Sequence, residues 1–173
     1  AATVVLARIL SPEDFGLVAI AASVVAIVEG LSAFDVNRAL IRTRDDDRAL
    51  YDTAWTLSAL RGLAAALVML AVAPLVADAR VGAVLCVMAL GPLVGGLANP
   101  RFVAFERDLV YSRLAVLTLG ARVLAVAATV LVAVVYRSYW ALVIGLLVGT
   151  ATSTVLSYAL RPYRPRPTLA RSS

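Results

Sequence analysis

Residues 114–135 read LAVLTLGARVLAVAATVLVAVV, a run of apolar and small residues broken by one charge, Arg122. At about 1.5 Å per residue, a helix of this length covers the roughly 30 Å of hydrocarbon in a bilayer. Four further runs of the same kind lie on either side, at residues 15–34, 53–77, 81–98 and 139–160. The chain opens in a shorter apolar stretch, residues 1–10. That stretch is about half the length a span needs, and we read it as the tail of a truncated helix in an N-terminal fragment.

The composition agrees with this reading. Hydrophobic residues make up 62% of the chain and the mean hydropathy is +0.91, where soluble domains hold about 45–50% apolar residues. A 173-residue soluble domain cannot hide that much apolar surface, whereas a bilayer can. The expected fold class is therefore all-α, a polytopic membrane helix bundle. The expected division is a transmembrane lobe over residues 1–160 and a basic, proline-rich linker start over residues 161–173.

All sixteen cations are arginines, and they set the orientation. Eleven fall in the two longer connections and the tail: Arg38, Arg42, Arg44 and Arg48, then Arg101, Arg107 and Arg113, then Arg161, Arg164, Arg166 and Arg171. Only Arg8, Arg80 and Arg137 fall on the opposite side. Cytoplasmic loops carry the excess of basic residues, so the longer loops and the tail are expected in the cytoplasm. In a soluble protein, a net charge of +5 points to nucleic acid; between membrane spans it points to topology, and no nucleic-acid partner is expected. Trp55, Tyr111 and Tyr158 fall near the inner ends of spans, and Tyr136, Tyr139 and Trp140 at an outer end, as interfacial aromatic belts do.

Chemistry-bearing residues are few. There is no histidine, and the lone Cys86 lies inside an apolar run, so neither a disulfide nor a metal site is expected. No catalytic residue set is present, no cofactor is called for, and the chain is not expected to be an enzyme. Asp45-Asp46-Asp47 is like the acidic metal motif of glycosyltransferases, but the loop is too short for a nucleotide-sugar domain, and a solvated charge run explains it better. Gly145 and Gly149 have the spacing of close helix packing, within the lobe rather than between copies. Pro92 beside Gly91 predicts a kink.

Three ionisable residues lie within spans: Glu29, Arg61 and Arg122. A charge at mid-bilayer costs about 2.5–3.5 kcal/mol on insertion scales, so such residues face protein or water. Counted from the span ends, all three sit roughly 8–12 Å from the cytoplasmic boundary, in about one layer. Ala54, Ser58, Arg61 and Ala65 share one helical face, as do Ala115, Thr118, Arg122, Ala125 and Thr129. Thr150, Ser153, Thr154 and Ser157 mark the last span, and Gly91, Gly95 and Asn99 form a stripe on another. One reading is a vestibule whose arginines bind a diphosphate through their forked donors. The other is a structural pair of Glu29 with Arg61 or Arg122.

Several local patterns are similar to a known family. Ala7-Arg8-Ile9-Leu10-Ser11-Pro12-Glu13-Asp14-Phe15-Gly16 resembles the turn after the first helix of polysaccharide flippases, within the multidrug/oligosaccharidyl-lipid/polysaccharide exporter superfamily. Ala39-Leu40-Ile41-Arg42 with Asp52-Thr53-Ala54-Trp55 resembles their loop into the third helix. Phe105-Glu106-Arg107-Asp108-Leu109 resembles the loop between helices four and five, and Tyr139-Trp140-Ala141-Leu142 the start of helix six. Asn37-Arg38 departs from the family, which often has small residues there. The resemblance implies the first lobe of a two-lobe transporter in a bacterial inner membrane. It implies a lipid-linked oligosaccharide as the partner and a missing C-terminal lobe of the same protein. The alternatives are a drug or small-cation exporter of the superfamily, a membrane glycosyltransferase or polymerase, and a noncatalytic scaffold.

Overall fold

The computed structural model describes residues 11–31, 48–100 and 111–160. Among them the chain is an all-α membrane helix bundle. Its helices are α1 (Pro12–Leu31), α2 (Arg48–Val72), α3 (Ala79–Met88), α4 (Leu90–Gly96), α5 (Tyr111–Tyr136) and α6 (Trp140–Leu160), with a 3-10 turn at Ala73–Leu75. Among the described residues, four stretches are long and apolar enough to cross a membrane: Tyr51–Leu75, Ala79–Gly96, Thr118–Tyr136 and Trp140–Ala159. The helix α1 is 20 residues long and differs from these in carrying Glu13, Asp14 and Glu29. The expected partial span at 1–10, the loops at 32–47 and 101–110, and the tail at 161–173 lie outside the described residues.

The helix ends follow from local chemistry. Ser11 and Asp14 cap α1 reciprocally: the Asp14 amide donates to Ser11 Oγ at 3.2 Å, and Asp14 Oδ2 accepts from the Ser11 amide at 3.0 Å. Pro12 follows at the position where a missing N–H costs nothing. Asp78 caps α3 by accepting from the Arg80 amide at 2.8 Å. The helix α5 ends on Arg137, whose φ of 45° is left-handed and whose amide donates to Ala133 O at 3.0 Å.

Two boundaries differ from the sequence reading. The helix α2 begins at Arg48 rather than 53, because hydropathy marks where hydrocarbon begins and not where helical hydrogen bonding begins. The run 81–98 is two helices, α3 and α4, separated at Ala89. Pro92 lacks the N–H that would bond the Met88 carbonyl four residues back, so the predicted kink becomes a break.

The helices α5 and α6 form a long antiparallel hairpin; α2 packs on α4, α1 on α3, and α6 on α4. Backbones approach closely where glycines allow it. A Cβ on Gly62 would overlap the Pro92 carbonyl, and one on Gly96 would lie 2.7 Å from Ser58 O. Gly145 and Gly149 face Thr129 and Ala125 of the same chain, so this pair packs α6 on α5 within the bundle.

The bundle has three layers. At the end carrying Ser11, Ala73 and Tyr139, an apolar plug is built on Met69, Val84, Leu85 and Val143, all essentially inaccessible. The middle is open. The other end is closed by polar bonds among α2, α4 and α6. Outward faces are apolar: Leu119, Val123, Leu131 and Val135 are all more than 60% exposed. Water would not tolerate such a patch, and a bilayer solvates it.

Candidate functional site

In the open middle layer, a cavity of about 320 Å³ lies between α1, α2, α4 and α6. The small-residue faces make it. Gly91, Gly95 and Gly96 of α4 have no side chains to fill it, and Ala65 of α2 is short. The break before Pro92 turns α4 so that Pro92 itself lines the wall.

Glu29 of α1 and Arg61 of α2 both line this cavity. Both are exposed, so their charged ends reach the cavity mouth rather than a dry interior. Among the described residues neither forms an ion pair. The third expected residue, Arg122, lies elsewhere: it is exposed on α5 and does not line the cavity. It remains at a similar level, because the preceding Ala121 lies beside Gly149, and Gly149 precedes Thr150 of the cavity wall. Arg61 and Glu29 thus line one cavity, and Arg122 lies apart from it.

Below the cavity, the polar stripes of α4 and α6 bond to each other. Thr154 Oγ1 donates to Val94 O at 3.1 Å, the Asn99 amide donates to Ser157 Oγ at 3.1 Å, and Asn99 Nδ2 donates to Ser157 O at 3.2 Å. Tyr158 donates to Leu97 O at 2.7 Å, and Trp55 Nε1 donates to Tyr158 Oη at 3.0 Å. These bonds serve polar backbone groups at the C-terminal end of α4, where Val94 O also accepts from the Leu97 amide at 3.2 Å.

Sequence reasoning placed Trp55 and Tyr158 in an interfacial belt. The depth is compatible, but their polar atoms point inward to α4. The signal was present in the two polar stripes, Gly91/Gly95/Asn99 and Thr150/Ser153/Thr154/Ser157, whose mutual pairing could not be read from either alone. A second cavity, of about 520 Å³ between α5, α6 and α1, had no sequence signal beyond Gly145 and Gly149.

Chemically, the first cavity offers one guanidinium with its forked donors and one carboxylate at its mouth. Over residues 5–173 the sequence matches the family described as polysaccharide biosynthesis protein. No curated protein and no solved structure matches the chain.

Proposed function

Because the chain belongs to the polysaccharide biosynthesis protein family, we propose that it moves a polyprenyl-diphosphate-linked oligosaccharide from the inner to the outer leaflet during surface polysaccharide synthesis. The role is transport rather than catalysis, in a bacterial inner membrane. The chain acts as the N-terminal lobe of a two-lobe protein whose C-terminal lobe completes the path.

The observation that carries this reading is Arg61 lining a cavity among membrane-spanning helices with no ion-pair partner among the described residues. An arginine held at that depth is expensive unless it serves protein or a path, and its planar fork suits diphosphate oxygens. Arg122 lies apart on α5 and is not part of this cavity, so the reading rests on Arg61. Glu29, at the same mouth, favours a second reading in which it and Arg61 neutralise each other.

Export by the full-length protein separates the two. Under the head-group reading, Arg61→Gln abolishes export at normal membrane abundance, and Arg61→Lys restores part of it, since an ammonium lacks the fork. Under the pairing reading, Arg61→Gln lowers abundance, and adding Glu29→Gln restores both abundance and export. Full export by Arg61→Gln would defeat the head-group reading.

A further inference from the structure

We propose that Glu29 is an exchangeable counter-anion for Arg61: its carboxylate takes the place of the phosphate on the guanidinium each time the head group leaves, and gives way when the next one arrives. This rests on the head-group reading of the cavity, and it makes the two ionisable residues successive partners in one cycle.

Glu29 and Arg61 are the only charged side chains lining the cavity among the described residues. The one hydroxyl there, on Thr150, donates to Leu146 O at 3.1 Å within its own helix. Besides a ligand, the cavity therefore holds one anionic acceptor for Arg61, and it is Glu29. A guanidinium at that depth with neither partner is costly. Departure of a phosphate held by Arg61 alone would carry that cost. Exchange avoids it, because the fork of the guanidinium takes a carboxylate or a phosphate in the same paired geometry.

The two side chains stand on walls that are held differently. The wall carrying Arg61 is fixed: α2 meets α4 through the backbone approaches at Gly62 and Gly96, and α4 is bonded to α6 through Thr154 and Ser157. The helix α1 is anchored at its outer half, where Leu17, Val18 and Ala21 are buried in the apolar plug. From Ala22 to Gly30 only Val28 is buried. A Cβ on Gly30, beside Glu29, would meet nothing within 4 Å. The inner end of α1 is thus free to tilt about the plug. In the arrangement described, carboxylate and guanidinium are unpaired and the mouth between them is open. A tilt of α1 toward α2 pairs them and narrows the mouth.

The test titrates the purified full-length protein in lipid nanodiscs with inorganic diphosphate and measures export in cells. Glu29→Gln is expected to tighten diphosphate about tenfold, equivalent to removing a competitor worth about 1.4 kcal/mol. It is also expected to slow export at normal membrane abundance, since nothing then displaces the head group from Arg61. In an Arg61→Gln background, Glu29→Gln is expected to leave the weakened binding unaltered. That arm separates exchange from plain repulsion, because a carboxylate that only repels phosphate does so whether or not Arg61 is present. Glu29→Asp keeps the charge on a stem one methylene shorter. It is expected to bind diphosphate more tightly than the wild type and less tightly than Glu29→Gln, and it decides alone if Glu29→Gln does not accumulate. Unchanged or weaker binding by Glu29→Gln, wild-type binding by Glu29→Asp, equal tightening in both backgrounds, or full-rate export by Glu29→Gln overturns the proposal. The head-group reading fails differently: diphosphate binding is then indifferent to Arg61→Gln.

Discussion

At the residue scale, the polar atoms near the inner end are joined rather than scattered. Leu97 O accepts from Tyr158 at 2.7 Å and from Trp55 at 3.3 Å, and Trp55 also donates to Tyr158. Removing one donor leaves the carbonyl served by the other. Tyr158→Phe is therefore expected to cost only about 1 kcal/mol, the net worth of an ordinary hydrogen bond. Trp55→Phe with Tyr158→Phe removes both donors and is expected to cost more than the sum of the single changes. Thermal unfolding of the detergent-solubilised protein checks this, and strict additivity would show that the three groups do not act together. Arg61, Glu29 and Arg122 carry the opposite lesson. Their residue types and depth were legible from charges inside apolar runs. That Glu29 and Arg61 line one cavity while Arg122 does not was not legible, because depth along a helix says nothing of rotation about it.

At the element scale, α4 is held by contacts that only glycine permits. A Cβ on Gly96 would lie 2.7 Å from the Ser58 carbonyl of α2, a rigid backbone atom, whereas a Cβ on Gly16 would meet nothing within 4 Å. Gly96→Ala is expected to destabilise by about 1–3 kcal/mol, the usual cost of overpacking. Gly16→Ala is expected to be neutral or to stabilise by up to about 1 kcal/mol through helix propensity. Membrane abundance and unfolding temperature measure both, and equal behaviour of the two variants would contradict the close crossing of α2 and α4. The short length of α4 has the same origin as its position. Pro92 ends the hydrogen-bond ladder at Met88, and the resulting turn brings Pro92 against Gly62.

At the scale of the whole molecule, an apolar plug, an open middle and a polar clasp succeed one another along the bundle axis. If the arginine-rich side is cytoplasmic, the clasp lies toward the cytoplasm and the plug toward the outside. Cysteine labelling in a Cys86→Ser background tests the orientation. Cysteines at Arg44, Arg107 and Arg164 are expected to react in whole cells only with a membrane-permeant thiol reagent. Cysteines at Glu13 and Ser138 are expected to react with an impermeant one. Impermeant labelling at Arg44 would invert the topology and place the plug, not the clasp, on the cytoplasmic side.

The sequence by itself determined that this chain is a bundle of membrane helices, where most of them run, which one Pro92 interrupts, and which charges lie at depth. Each follows from a local property: run length against bilayer thickness, a missing N–H, or a charge among apolar neighbours. The choice of faces was decided only by the tertiary structure. In water, an apolar stripe tells which side of a helix is buried. In a membrane, lipid-facing and protein-facing sides are both apolar, so that periodicity fades. Thr118–Tyr136 shows the effect, with only 11% of its apolar window buried. Small and polar stripes hinted at the contacts, but which stripe meets which depends on how the helices rotate and pair.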